Sequence, residues 1–455
     1  MNTGDTAWVL ASAALVLLMT PGLALFYGGM VRAKSVLNMM MMSFGALALI
    51  SVLWVLYGYS MAFGNDVGAG LVGSPFEFFG LSKLLGTGSA AHGFAATHLV
   101  GTIPSFAFVA FQAVFAIITV ALISGAIADR ARFGPWLVFA GIWATVVYFP
   151  VAHWVFAFDG AQSAVGGWLA NSLKVIDFAG GTAVHINAGA AGLALALVLG
   201  KRRGFGRDPM RPHNLTLVMT GAGLLWFGWF GFNAGSALGA SGQAAEVWVT
   251  TMVATGAAAL GWLATERIRD GHATSLGAAS GIVAGLVAIT PSCSSVTPVG
   301  AIVVGAVAGV VCALAVGLKY RFGYDDSLDV VGVHLVGGLW GTLAVGFLAS
   351  SATTAGVDGL FYGGGFNQLW RQAVGALAVL GFSFVATTLI GLAIQKTIGF
   401  RIGQEQEIAG IDSVEHAETA YDLASLGGGA SAPGGAASPV GQARAEARNT
   451  EGARV

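Results

Sequence analysis

Charge is scarce in this sequence: only 9% of its 455 residues are Asp, Glu, Lys or Arg, whereas 56% are hydrophobic. A soluble globular protein carries about a quarter charged residues, so this chain is excluded from that class. The net charge is −1 at pH 7, which gives no reason to expect a nucleic-acid partner. The composition indicates an integral membrane protein whose direct surroundings are the lipid bilayer.

Cysteine and an N-terminal positive charge are also lacking. Cys293 falls in a predicted loop and Cys312 in a predicted span, and they form no CxxC pair, so we expect neither a disulfide nor a metal site. No Lys or Arg precedes the first apolar run, and Asp5 is acidic. Because a secretory signal peptide needs a positive start and a small-residue cleavage site, we expect this run to be a retained span.

Charge-free windows long enough to cross a bilayer recur along the chain. A helical span needs about 20 mostly apolar residues. Gly271–Leu318 accommodates two spans around the breakers Pro291–Ser295, and Gly86–His98 is expected to be loop. The total is eleven helices. The windows are Thr6–Val31, Ser35–Asn65, Leu84–Ala128, Phe133–Phe158, Phe178–Gly200, Pro212–Ala245, Val247–Thr265, Gly271–Leu318, Val330–Val357 and Gln372–Gln395.

The distribution of positive charge predicts the orientation. With the N-terminus outside, the outer loops carry only Lys83, Lys174 and Arg371, and all the other loop cations fall inside. Cytoplasmic loops of membrane proteins are enriched in Lys and Arg. The sequence therefore predicts a multi-pass protein of the cell membrane with an extracellular N-terminus and a cytoplasmic C-terminus.

Eleven spans divide into five, five and one. An odd number per half makes the second half run upside down, which is the inverted repeat of many transporters. The predicted fold is thus an all-α membrane protein with an inverted five-helix repeat plus one C-terminal helix. We expect a transmembrane domain over 1–400, an ordered cytoplasmic region over 401–422, and a disordered tail over 423–455, where apolar residues are few.

Two of the charge-free runs contain a histidine deep within them. His185 lies eight residues after Asp177, and His334 lies five residues after Asp329. An ionisable side chain inside a bilayer indicates a functional site. The alternative for each ring is a satisfied polar residue packed between helices, and a pair on the corresponding helices 5 and 10 disfavours it. Asp177 is also expected to cap its helix, and Asp329 is expected to be a cytoplasmic surface residue.

Six motifs in order resemble the ammonium transporters of the Amt/Mep/Rh superfamily, on the Amt side. The resemblance extends from about residue 8 to 422 and implies a homotrimer with one pore per subunit. It implies uptake of ammonium or ammonia, with ammonium recruited at an outer site, deprotonated and conducted past twin histidines. The motifs are Pro21–Arg32, Phe111–Phe115, Asp177–Gly189, Trp226–Ser236, Asp329–Gly338 and Ile411–Tyr421.

The resemblance also implies roles for single residues. Phe115 and Phe232 are similar to the stacked rings that gate the outer mouth, and Ser236 to the hydroxyl that accepts a hydrogen bond from ammonium. Asp177 matches the essential carboxylate of the outer vestibule. His185 and His334 match the twin histidines that line the pore.

One position departs from the family's pattern. The family often has a Trp in the loop before helix 5 that completes an aromatic cage, and by register with Asp177 this position is Val165. Trp168 stands three residues later and is the candidate substitute. The loop 159–164 differs in length from the common pattern, which puts the cage and its affinity in doubt.

Other classes of function stay open at this point. An enzyme with a metal or haem held by His and Asp is one, although the His-Glu-x-x-His motif of zinc proteases is absent. A sensor that signals through its cytoplasmic tail is another, and an Rh-type gas channel is a third. No cofactor is expected, and the resemblance implies a PII-type signal protein as a partner at the cytoplasmic face.

Overall fold

The computed structural model describes residues 1–85 and 98–421 and is predominantly helical. In these two ranges the only strands are Leu99–Val100 and Ile103–Pro104, which pair as an antiparallel hairpin. The predicted tail over 423–455 lies outside the described residues, as does most of the predicted loop over 86–98.

Ten helices of the described ranges are long and apolar enough to cross a membrane, which confirms the predicted class of all-α membrane protein. A further apolar helix, Ser275–Ile289, is shorter, so the eleventh crossing and the orientation stay predictions. In chain order the eleven are α1 Thr3–Met30, α2 Val36–Phe63, α3 Ser105–Ile127, α4 Phe133–Phe156, α5 Gly181–Leu199, α6 Leu215–Gly235, α7 Gly242–Asp270, α8 Ser275–Ile289, α9 Pro298–Phe322, α10 Val331–Leu348 and α11 Asn367–Thr397.

The window Gly271–Leu318 contains two helices, α8 and α9, as predicted. The chain turns between them over 290–297, where Thr297 caps α9 by accepting a hydrogen bond from Gly300 N. Pro298 occupies the first turn of α9, where its missing N–H costs nothing. The breaker cluster thus ends one helix and starts the next.

Helices at corresponding positions of the two predicted halves pack together. α1 packs along α6, and the first turns of α5 meet those of α10. Both α5 and α10 begin with a π-helical turn, Gly181–Ile186 and Val331–Leu335, and each turn contains one of the two histidines. Short π-helical segments occur frequently at functional sites. α11 stands outside this pairing and packs along α5.

The segment after α11 forms two short helices, α12 Gln404–Ala409 and α13 Ile411–Glu415. Its acidic side chains cap distant helices: the Asp412 carboxylate accepts from Leu37 N and Asn38 N at the start of α2. Glu415 accepts from Phe133 N at the start of α4. One compact unit covers Met1–Glu418, and a second unit, Thr419–Val455, is described only to Tyr421 and contains no helix or strand there.

Candidate functional site

A cavity of about 50 Å³ opens where α3 begins and where α4 and α6 end, on the face predicted to be outer. Its walls are largely aromatic, with three polar side chains among them. Ser236 is half-buried, and its hydroxyl donates to the carbonyl of Phe232 at 2.8 Å. A hydroxyl that has donated its hydrogen still has lone pairs with which to accept one. The lining residues are Phe108, Gln112, Phe115, Phe156, Phe158, Gln162, Phe178, Ser236 and Leu238.

Two stacked rings separate this cavity from the interior. The ring centroids of Phe115 and Phe232 lie 4.2 Å apart, with the planes inclined by 29°. Phe115 lines the outer cavity, whereas Phe232 lines a second, enclosed cavity below it. Both side chains are buried. The rings therefore close the passage between the two cavities, and a solute would have to displace them to pass.

The second cavity has a volume of about 10 Å³ and an apolar lining apart from His185, His334 and Trp229. The Nδ1 atoms of the two histidines lie 3.3 Å apart, and the rings stack with centroids 5.4 Å apart. His185 also stacks on Trp229 at 5.4 Å. A cavity of roughly 10–15 Å³ is the smallest that holds one water molecule. The enclosed cavity is therefore no larger than one small molecule.

One polar atom of the histidine pair is left without a protein partner. Nε2 of His185 is buried and makes no hydrogen bond within the described ranges. Since Nδ1 of the same ring is engaged with His334, Nε2 is the atom left to bind a molecule in the enclosed cavity. A buried polar atom that stays unpaired costs free energy, so this nitrogen favours a polar occupant.

Glycine permits the two histidine helices to cross closely. A Cβ atom at Gly189 on α5 would lie 2.5 Å from the backbone nitrogen of Leu335 on α10. A Cβ at Gly338 on α10 would lie 3.1 Å from the Cβ of His185. Any side chain at Gly189 would therefore push the helices apart and lengthen the contact between the rings.

The carboxylate of Asp177 caps α5, as expected for an Asp at this position. One oxygen accepts from Gly180 N at 2.9 Å and Gly181 N at 2.6 Å. The other accepts from Thr182 N at 2.8 Å, from Ala183 N at 3.2 Å and from the Thr182 hydroxyl. The side chain is 6% exposed, and the next residue, Phe178, lines the outer cavity. Asp177 thus places a buried negative charge beside the cavity while its own oxygens face the helix start.

Asp326, rather than Asp329, occupies before α10 the position that Asp177 occupies before α5. Asp326 stands eight residues before His334, and its carboxylate accepts from Val330 N at 3.1 Å and Val331 N at 2.7 Å. Burial raises the pKa of Asp326 to about 6, although the nearby Lys319 opposes this shift. Asp329 instead pairs with Lys319 at 2.6 Å.

The structure does not bring Val165 or Trp168 into the outer cavity. Val165 is 58% exposed, and its carbonyl accepts from Asp66 N. The Trp168 ring packs against Trp154, with centroids 5.8 Å apart, and does not line the cavity. The aromatic wall on that side comes from Phe156, at the end of α4, and Phe158.

His153 is a buried histidine away from both cavities. It is fully buried in α4, where Nδ1 contacts the carbonyl of Ala62 at 2.9 Å and Nε2 lies 3.4 Å from Asp66. It lines neither the outer cavity nor the enclosed one. Gln112, Phe156 and Asp326 are site residues that the sequence analysis missed, and only the eight-residue interval before His334 would have identified one of them.

A network of buried charges surrounds the loop that leads into α10. Arg202 pairs with Asp129 at 2.9 Å and with Asp325 at 2.8 Å, and Arg130 donates to the Asp325 carbonyl at 2.6 Å. Although burial disfavours its charge, the hydrogen bonds and charge of Arg202 and the charge of Arg130 lower the pKa of Asp325. This network fixes the loop that leads into Asp326.

Comparisons with known proteins agree over nearly the whole chain. A sequence model described as the Ammonium Transporter Family matches residues 7–421. The ammonium transporter of Mycobacterium tuberculosis is 64% identical over 442 residues, which cover 94% of this chain and 92% of that protein. The ammonium transporter of Corynebacterium glutamicum is 45% identical over 432 residues, which cover 94% of this chain and 91% of that protein. Among solved structures, Saccharomyces cerevisiae Mep2 matches with a TM-score of 0.80 at 35% identity, covering 89% of this chain and 88% of that one. The structure of a protein described as a Sensor Amt Protein matches with a TM-score of 0.81 at 30% identity, and the match covers 91% of this chain and 98% of that one.

Proposed function

The chain belongs to the ammonium transporter family, and from this premise we propose that it takes up ammonium by recruiting the cation in the outer cavity, removing its proton and conducting ammonia past His185 and His334. The observation that carries the proposal is the orphaned Nε2 of His185 in an enclosed cavity of about 10 Å³. An uncharged molecule with N–H donors and one lone pair fits both the size and the hydrogen-bonding need of that position.

Recruitment of the cation follows from the chemistry of the outer cavity. Aromatic faces attract cations by about 0.5–2 kcal/mol each, depending on desolvation. The Ser236 hydroxyl, with its hydrogen donated to Phe232, accepts one N–H of ammonium. Asp177 adds a negative charge next to the cavity wall at Phe178. These groups bind an ammonium ion, whereas the stacked rings of Phe115 and Phe232 stop it from going further intact.

Deprotonation removes the main cost of crossing. A charge at the centre of a bilayer costs at least about 2.5–3.5 kcal/mol on insertion scales. The membrane potential adds about 2.3 kcal/mol per charge for each 100 mV. Ammonium gives one proton to water at the outer cavity, and the ammonia that remains avoids both costs for the nitrogen and suits the apolar lining of the enclosed cavity. Potassium has no proton to lose, so this step provides a selectivity that ion size does not.

Ion current across liposomes containing the purified protein tests this function. We expect uptake of ammonium, and neither uptake nor current with potassium at the same concentration. A potassium current, or no ammonium uptake by correctly assembled protein, would contradict the proposal. The current per ammonium taken up distinguishes net movement of ammonia from net movement of ammonium.

We propose further that the protein is a homotrimer in the cell membrane, with eleven spans, an outer N-terminus and a cytoplasmic C-terminus. Each chain contains its own outer cavity and histidine pair, so each subunit is expected to conduct independently. A PII-type signal protein is the expected partner at the cytoplasmic face. Native mass spectrometry of the purified protein, alone and with such a partner, tests both statements.

One observation favours a second candidate function: one of the structural neighbours is described as a Sensor Amt Protein. A sensor would bind ammonium in the outer cavity and signal through the segment after α11. Transport remains the proposal because the enclosed histidine cavity is not needed for sensing alone. If the assembled wild-type protein binds ammonium but takes none up into liposomes, the sensor function is favoured.

A further inference from the structure

The residues before α5 form a buried segment without regular secondary structure. Over 174–180 the chain is neither helix nor strand, and this stretch includes Asp177. Backbone N–H and C=O groups buried in a membrane protein must find partners within the protein. A helix satisfies these groups by itself, but an irregular segment depends on whatever packs against it.

Within this segment, the backbone of Ile176 is held by an amide side chain on α11. Gln372 is fully buried, and its Oε1 accepts from Ile176 N at 2.8 Å. Its Nε2 donates to the Ile176 carbonyl at 2.7 Å and to the Thr342 carbonyl on α10 at 3.1 Å. One side chain therefore binds both polar groups of the residue directly before Asp177, and it also joins that residue to α10.

A second glutamine supports the first. Gln368, one turn earlier on α11, donates from Nε2 to the Oε1 atom of Gln372 at 2.9 Å and to the Lys174 carbonyl at 3.3 Å. Gln372 is held in its rotamer by these contacts, because each of its amide atoms has a fixed partner. The orientation of the pair of hydrogen bonds to Ile176 is thereby determined.

We propose that Gln372 is the positioning residue for Asp177: its amide clamps the Ile176 backbone and so fixes where the carboxylate enters the start of α5. This inference rests on the proposed function, in which Asp177 orients ammonium at the outer cavity. It assigns a role to α11, the helix that stands outside the predicted inverted repeat.

The other half of the molecule holds the equivalent residue by a different group. Asp325 directly precedes Asp326, as Ile176 precedes Asp177, and the Arg130 guanidinium donates to the Asp325 carbonyl. Both halves thus fix the backbone just before the capping carboxylate. On the cytoplasmic side a charged network does this, and on the outer side an uncharged amide does it without adding a second charge next to the substrate cation.

Only a group that both donates and accepts reproduces the clamp. Leucine at this position would fill the space and lose both hydrogen bonds. A carboxylic acid keeps both while it is protonated, because it then has one O–H donor and one acceptor oxygen, but once ionised it only accepts. Comparing Gln372→Leu with Gln372→Glu therefore distinguishes the effect of the hydrogen bonds to Ile176 from the effect of side-chain packing at this position.

The experiment measures ammonium uptake in liposomes from pH 5 to pH 9, with every variant expressed as a ratio to wild type at the same pH. Thr387→Val is the matched control, because Thr387 is a buried residue of α11 that accepts from Trp143 Nε1 at 2.8 Å, far from Asp177. The charged neighbours Lys174, Asp177 and Arg371 are present in all three variants, so their titration cancels in the ratio.

We expect Gln372→Leu to lower uptake by about 10- to 100-fold at every pH, the size of effect that a misplacement of about 1 Å produces. The Gln372→Glu ratio should be close to that of the control at low pH and fall as pH rises and the carboxyl ionises. Thr387→Val should stay close to wild type. A ratio for Gln372→Glu that is already low at pH 5, or that rises with pH, would overturn the proposal, even if Gln372→Leu does not assemble.

Asp177→Asn, measured in the same assay, distinguishes a failure of this inference about Gln372 from a failure of the proposed role of Asp177. If Asp177→Asn is inactive while Gln372→Leu transports like wild type, the clamp is unimportant and only this inference fails. If Asp177→Asn itself transports like wild type, the proposed role of the carboxylate fails. Hydrogen exchange of the peptide over 174–186 gives a direct readout, and faster exchange in Gln372→Leu than in Thr387→Val is expected.

Discussion

The Nδ1 atoms of His185 and His334 face each other at 3.3 Å, so one ring donates and the other accepts at this contact. In a neutral pair the ring with its proton on Nδ1 has an accepting Nε2, and the other ring has a donating Nε2. The pair therefore presents one acceptor and one donor to the enclosed cavity. Ammonia can satisfy both, whereas a desolvated cation is repelled as soon as one ring is protonated.

The first prediction concerns this pair. Replacing both histidines with Leu should abolish proton-coupled transport, and replacing either with Gln or Glu should change the ratio of ammonium to potassium current. His153→Gln is the matched control, since His153 is equally buried and lines neither cavity. If the assembled variants keep both the rate and the selectivity of wild type, the histidines only pack.

The second prediction concerns Asp177. Asp177→Ala removes the acceptor of five hydrogen bonds and the negative charge beside the cavity, so we expect no uptake of methylammonium. Loss of a capping residue costs about 0.5–2 kcal/mol of stability, so the variant should still insert and assemble. Uptake at the wild-type rate by assembled Asp177→Ala would refute the role of the carboxylate.

The third prediction concerns the aromatic wall of the outer cavity. Phe156→Trp should lower the apparent KM for ammonium, because Trp attracts cations more strongly than Phe. Val165→Trp is the control and should leave KM unchanged, since Val165 is exposed and lies outside the cavity lining. A lower KM for Val165→Trp alone would restore the sequence-based register.

The fourth prediction concerns Asp326 and pH. Its pKa of about 6 lies above the value of about 3.9 in an unfolded chain. The folded state therefore binds this proton more tightly, and the resulting stability is fully present below about pH 4 and lost as pH rises through about 6. The Tm of wild type minus that of Asp326→Asn should consequently be larger at pH 5 than at pH 7.5.

Asp325→Asn provides the control for this measurement. The pKa of Asp325 is lowered, so its contribution is present above about pH 4 and is lost only as pH falls below that value. The Tm difference for Asp325→Asn should thus be the same at pH 5 and pH 7.5. An equal pH dependence for both variants would contradict the assignment to Asp326.

The fifth prediction concerns the segment after α11. Deletion from Gly403 removes the caps that Asp412 and Glu415 provide to α2 and α4 and should impair transport. Deletion from Ala424 leaves both caps in place and should preserve activity. Ammonium uptake by the two truncated proteins, compared at equal amounts of protein in the membrane, tests whether only the residues between Gly403 and Ala424 are needed. Equal uptake by both would refute this prediction.

The membrane class and most of the helices could be predicted from the sequence because a span needs about 20 residues without charge, and that property is local. The turn around Pro291 and the close approach of His185 to His334 also followed, the latter through the motifs that carry the resemblance. These features depend on patterns that can be recognised in the sequence without knowing where the side chains lie.

The missed features depend on geometry that no local pattern records. Val165 is identified by counting across a loop whose length already departs from the family's pattern, and the sequence does not show where its side chain lies. Asp329 belongs to the His334 motif, whereas only the interval of eight residues before His334 identifies Asp326. Gln372 is a single amide in an apolar helix, and nothing marks it until its partner Ile176 is placed opposite.

The caps that Asp412 and Glu415 provide have a consequence for biosynthesis. Asp412 stands 375 residues after Leu37, whose N–H it accepts. A ribosome that adds about 5–20 residues per second needs roughly 20–75 s to cover that interval. The start of α2 therefore enters the membrane long before its cap exists, and the start of α4 waits for Glu415 in the same way. The starts of α2 and α4 are completed only after residues 412–415 have been synthesised, so a nascent chain released before that point lacks both caps.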